Sequence, residues 1–137
     1  MRGLRIAGAL ALLMGVGTSS VPAGEFDGST ELICAVSTVF DCGPLQKCQS
    51  VSSREANVPS FIRVNFEAGK LSGKSPDGEV QETTVQNTTK IDGKTILQGA
   101  ENGRAWSLVI DQQSGEISAT IADNEVGFVL FGGCTVP

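Results

Sequence analysis

The sequence predicts an all-β domain: an antiparallel up-and-down meander of about eight strands, a small closed or nearly closed barrel. Three observations predict it. Turn dipeptides recur at short, even spacing through residues 61–134. The segments between them are rich in Val, Ile, Thr and Phe and alternate apolar with polar. Four cysteines follow a leader-like N-terminus, and two of them stand near the two ends of the remaining chain.

The first 23 residues read as an address. Arg2 and Arg5 supply a positive region, and Ile6 to Val16 is an apolar run. Such a run suits a signal peptide and is short for a membrane span. Val21-Pro22-Ala23 places small residues where cleavage after Ala23 needs them. The alternative, a buried or anchoring N-terminal helix, fits the short run and polar tail less well. No paired arginines and no closely following cysteine point to other export or lipid-attachment routes. The brief basic leader suggests a bacterial periplasmic protein. Residues 24–137 are then a single domain.

The leader holds two of the ten basic residues and none of the fifteen acids, which leaves a formal charge of −7. No basic stripe is present, so nucleic acid and anionic lipid are poor partners, and the charge serves solubility. Cys34, Cys42, Cys48 and Cys134 read as two disulfides in an oxidising compartment. Three pairings are open. The favoured one clips Cys42 to Cys48 locally and ties Cys34 to Cys134. In the chain-entropy model a loop of about 100 residues is worth about 4.7 kcal/mol, and a short one about 2 to 3. Zinc is the rival reading, but there is no CxxC and no histidine.

Turns are expected at Ala68-Gly69, Pro76-Asp77-Gly78, Asp92-Gly93, Asn102-Gly103, Ser114-Gly115 and Asp123-Asn124. They leave strands near 30–37, 61–67, 70–74, 79–90, 94–100, 104–111, 116–122 and 126–133. Ile62, Val64 and Phe66 share one face. So do Trp106, Leu108 and Ile110, and so do Ile117, Ala119 and Ile121. Two strands are apolar on both faces: Leu32 to Val36 and Val126 to Phe131. Each lies by a long-tie cysteine, so pairing first strand with last would close the barrel. The outer residues Ile33, Ala35, Val129 and Phe131 would then need a cover. The expected cover is the long connection 38–60, carrying one short helix or flap at 43–58, with Pro44 at a first helical position. About eight strands suit a filled interior or one small ligand; an open, strongly bent sheet is the alternative.

With no histidine, Ser-His-Asp and Cys-His sites and His-ligated metals are excluded. There is no tyrosine either. Carboxylate pairs could still do chemistry, but the acids sit in turns and on polar faces, where solvated charge explains them. Gly69-Lys70 and Gly73-Lys74-Ser75 are no phosphate loop, because Pro76-Asp77-Gly78 turns the chain where a helix should start. Ser72 and Lys74 suit an exposed hairpin better than a Ser-Lys dyad. Asn87-Thr88-Thr89 is a glycosylation sequon, with meaning only in a eukaryotic secretory route. Trp106 reads as core, with ligand stacking as the alternative. Gly132-Gly133 reads as a bend that lets the seam or its disulfide close. Asp111 and Glu116 could flank a calcium ion, but an ordinary hairpin accounts for them.

From Leu97 to Thr135 the chain reads LQGAENGRAWSLVIDQQSGEISATIADNEVGFVLFGGCT. Ile110-Asp111 with Ser114-Gly115, and Gly127 through Cys134, resemble a group of small secreted proteobacterial β proteins. The likeness extends to Cys42, Cys48 and Pro59-Ser60-Phe61-Ile62. That group brings no activity with it. A looser likeness, carried by Leu71-Ser72-Gly73-Lys74-Ser75, is to periplasmic lysozyme inhibitors; it is an analogy of fold.

The expected function is a non-catalytic secreted or periplasmic binding or interaction module, without cofactor or metal. Its partner would be a small ligand in a barrel mouth or a protein on the seam, with Trp106, Ile33, Val129 and Phe131 as candidate ligand-binding residues. No catalytic residue is assigned, and no membrane contact is expected once the leader is removed. The alternative is an inhibitor of an extracellular hydrolase, acting through Leu71–Asp77 or Gln46–Ser53.

Overall fold

The structure is a computed structural model that describes residues 25–137; the expected signal peptide at 1–23 lies outside them. Among the described residues there is no helix. The strands are β1 (Leu32–Cys42), β2 (Gln49–Val51), β3 (Phe61–Asn65), β4 (Lys70–Lys74) and β5 (Val80–Thr84). They continue with β6 (Asn87–Ile91), β7 (Lys94–Glu101), β8 (Arg104–Asp111), β9 (Glu116–Ala122) and β10 (Gly127–Thr135). All belong to one antiparallel sheet in the order β5-β4-β3-β1-β10-β9-β8-β7-β6, with β2 also on β1.

The hairpin turns explain the meander. Asp92 and Gly93 have φ of 49° and 72°, and Asn102 and Gly103 have 50° and 77°. Two successive positive φ values make the turn whose twist matches the flanking strands. At the longer β8–β9 turn, Asp111 Oδ1 accepts the N–H groups of Gln113 and Ser114, each at 2.9 Å.

The single strand expected over 79–90 is two strands. The Val85 N–H donates to Gly69 O, and the Gln86 N–H donates to Gln98 O, each at 2.8 Å. The chain is thus handed from β4 to β7, from one edge of the sheet to the other. β5 and β6 share no ladder, so the sheet curls into an open half-barrel rather than a closed one. Trp106 crosses the gap: its Nε1–H donates to Thr83 Oγ1 at 3.2 Å. It lies over Gly99, where a Cβ would come within 2.4 Å of the ring. Only glycine leaves that slot.

First and last strands do pair. Cys34 faces Cys134 in the β1–β10 ladder, and the two are disulfide-bonded. Cys42 is bonded to Cys48. Both favoured pairings are therefore seen, and they place the described chain in an oxidising compartment. β1 runs to Cys42, further than the alternation indicates, because a bulge at Ser37 flips its parity. Val36 opposes Gly132, Thr38 opposes Phe131, and Ser37 lies between them. Its hydroxyl donates to Phe131 O at 3.0 Å. Before the bulge Leu32 and Cys34 are buried; after it Val39 is. The backbones approach so closely that a Cβ on Gly132 would lie 1.9 Å from Ala35 O.

Inward side chains fill the sheet's concave side. Leu32, Val39, Val64, Thr95, Leu97, Leu108, Ile110 and Leu130 are essentially inaccessible. Phe26 joins this core from the N-terminal segment. Its N–H donates to Gln112 O at 3.0 Å, and its ring packs over Gly115.

The helix or flap expected at 43–58 is corrected to a clipped loop, the short strand β2 and one isolated turn. β2 pairs with Val39–Asp41 and extends the sheet along β1. The turn is started and stopped at once. Ser52 and Glu55 form a reciprocal cap: Glu55 Oε2 accepts the Ser52 N–H at 2.7 Å, and Ser52 Oγ accepts the Glu55 N–H at 3.2 Å. Five residues on, Asn57 at φ 52° ends the turn, with Asn57 N–H donating to Arg54 O and Val58 N–H to Ser53 O. Two caps this close leave no room for a helix. Ala56 and Val58 point into the core.

Candidate functional site

The segment 38–60 does not cover the outer face of the seam. β2 adds to the edge of β1, and Ala56 and Val58 are spent on the core. The outer face stays partly open. Phe131 is 44% exposed, and Ala35 is exposed as well. Phe131 opposes Thr38 and Val129 opposes Phe40, so the bulge brings Phe40 to the face of Phe131. The two rings meet edge to face, with centroids 6.4 Å apart and planes at 81°. Phe40 was hidden from the sequence because it lies beyond the parity flip.

A groove of about 430 Å³ runs along this face. Phe131 and Val109 supply its apolar side chains, Ser37, Ile117, Ser118 and Gly132 line the seam, and Lys94, Asp111 and Glu116 close one end. The ladder explains the assembly: Ile96 opposes Val109, Val109 opposes Ser118, and Ser118 opposes Phe131. Asp111 is ion-paired with Lys94. That contact, with the N–H groups of Ser114 and Gln113, holds the Asp111 carboxyl well below the usual carboxylate range. Its oxygens are thus engaged, and the calcium reading of Asp111 and Glu116 loses its first ligand. Glu116 makes no ion pair among the described residues. Among the described residues, no three His, Cys, Asp or Glu side chains gather as a metal site. No helix of the described residues is long and apolar enough to cross a membrane.

Of the four candidate binding residues, Val129 and Phe131 come together on this face. Ile33 opposes Thr135 and Arg63, at the far end of the seam. Trp106 lies on the other face of the sheet, packed on Gly99 and hydrogen-bonded to Thr83. Of the loops, Leu71 is buried and Lys70–Lys74 is strand, so only the turn after Lys74 projects. Leu45, at the tip of the Cys42–Cys48 loop, is fully exposed with φ of 60°.

Comparison with family models, with curated proteins and with solved structures returns no match.

Proposed function

We propose that this chain is a non-catalytic, secreted binding module of the bacterial periplasm that docks a protein on the outer face of the β1–β10 seam. The observation that carries the reading is the open aromatic face: on a stapled, curled sheet Phe131 is 44% exposed, and the half-buried Phe40 meets it edge to face. An open apolar patch on a rigid scaffold suits association, because little ordering entropy is lost on binding. The concave side supports the same choice. It is occupied by Leu97, Leu108, Ile110 and Leu130, so a ligand inside the sheet would have to displace core.

Charge indicates the partner's chemistry. The exported chain carries a formal −7, and Glu116 at the groove's end makes no ion pair among the described residues. The complementary surface is basic, with an apolar side chain to seat beside Phe131. A photo-crosslinking residue at Phe131, in protein exported to the periplasm, tests this. The reading requires a discrete adduct with a basic protein, absent when the crosslinker is at Ala105 and weakened by Glu116→Lys. Adducts of equal yield from both positions, or crosslinks only to a second copy, would overturn it.

The clipped loop favours a second reading, inhibition of an extracellular hydrolase. Leu45 stands clear of the surface between two bonded cysteines, a prong held ready for a cleft. Micromolar protein should then slow a lysozyme or protease, and Leu45→Ser should abolish the effect. Unchanged rates across a panel of such enzymes would end this reading.

A further inference from the structure

A second groove, of about 300 Å³, lies away from the seam groove and is lined by Arg54, Ser60, Phe61, Lys74, Ser75 and Pro76. Its charge is out of character for the molecule. The described residues hold eight cations against fifteen acids. Four of those cations, Arg63, Lys70, Lys94 and Arg104, are in ion pairs. Arg54 and Lys74 are not, and both line this one groove.

The acids nearest them along the chain are engaged elsewhere. The Glu55 carboxylate is held by the Ser52 N–H and hydroxyl, each at 2.7 Å. The Asp77 carboxylate accepts the Ser75 hydroxyl, a contact that holds its carboxyl below the ordinary range. Neither carboxylate is ion-paired with Arg54 or Lys74, so two unpaired cations line one groove.

The groove is also apolar and stiff. Phe61 is 62% exposed, and beside the groove Val80, 69% exposed, sits across the ladder from Lys74. Arg54 rides on the doubly capped turn. That segment touches β4 so closely that a Cβ on Gly73 would lie 2.6 Å from Pro59 Cβ. Ser75 is buried, with its N–H donating to Glu79 O at 2.8 Å. Its volume is at the lower limit of small-molecule pockets.

We propose that this groove binds a small amphiphilic anion: a carboxylate or phosphate head held by Arg54 and Lys74, on a flat apolar body laid against Phe61. Both parts are needed. The net negative surface repels a bare anion, and the open groove gives a neutral aromatic little orientation. The proposal stands independently of the docking face.

The test is an NMR titration of the oxidised protein with 2-naphthoate and with 2-naphthamide, its neutral isostere. 2-Naphthoate should saturate with shifts at Phe61, Lys74 and Ser75, and 2-naphthamide and inorganic phosphate should each bind at least about tenfold more weakly. Arg54→Gln or Lys74→Gln should each weaken 2-naphthoate about threefold, and together about tenfold. Lys47→Gln should change nothing. Both cation side chains are exposed, so the variants keep the fold, and unshifted resonances elsewhere verify it. Equal affinity for acid and amide, indifference to the double substitution, shifts confined to the Phe131 groove, or no saturation by about 10 mM would each overturn the proposal.

Discussion

Replacing Cys34 and Cys134 together by alanine should cost far more stability than replacing Cys42 and Cys48. The two bridges close loops of very different length, with sequence separations of 100 and 6. A cross-link stabilises chiefly by narrowing the unfolded ensemble. On that model the long loop is worth about 4.7 kcal/mol and the short one about 2.2 kcal/mol. Cys34 is also fully buried, so its truncation adds a packing loss. A domain of this size has a total stability of about 5–15 kcal/mol, so the long bridge is a large fraction of it. The assay is urea unfolding under non-reducing conditions. With a slope near 2 kcal/mol/M, the long-loop variant should lose about 2 M in midpoint and the short-loop variant about 1 M. Equal losses, or the larger loss from Cys42 and Cys48, would refute the reasoning. So would an intact protein whose disulfides map to any other pairing.

Further outcomes follow from close approaches and from titration. Gly132→Ala should destabilise by at least about 1–3 kcal/mol, because its Cβ would meet Ala35 O, whereas Gly133→Ala, with open space around it, should stay within about 0.5 kcal/mol. Urea midpoints of the two variants make the comparison. Trp106→Phe should lose the bond to Thr83 and about 1 kcal/mol, with faster amide exchange near Thr83–Gln86 as the gap between β5 and β7 loosens. The Asp111 carboxyl titrates lower in the folded chain than in the unfolded one, so its stabilising contribution is present above about pH 4 and drains away as pH falls through the folded value. The stability gap between the native protein and Asp111→Asn should therefore shrink on acidification; a gap that widens would contradict the sign.

Much of the fold was legible in the sequence because the hairpins are local. Asp92-Gly93 and Asn102-Gly103 name their own turns, and the alternation after each assigns the inward set, as with Leu108 and Ile110. The two disulfides followed from the placement of the cysteines along the chain. What escaped depends on non-local contacts or on local interruptions. The bulge at Ser37 exists because Gly132 lets two strands approach, and it hides both the length of β1 and the outward turn of Phe40. The break at Val85-Gln86 leaves no composition signal, since the chain stays extended while its partner changes. The missing helix was readable in principle: Ser52 and Glu55 are spaced as a cap, and Asn57-Val58-Pro59 stops the turn at once. Of the candidate site, Val129 and Phe131 were legible as surplus apolar residues. Their companions Phe40, Val109 and Glu116 needed the register.

Docking on the seam requires that its aromatic outer face be open to solvent. Fluorine NMR of protein labelled with fluorophenylalanine, with a soluble paramagnetic probe added, measures this ring by ring. Phe131 and Phe61 should broaden strongly, while Phe128 and Phe26 stay sharp. A Phe131 signal as protected as that of Phe128 would mean the face is covered, and the docking surface would be lost with it.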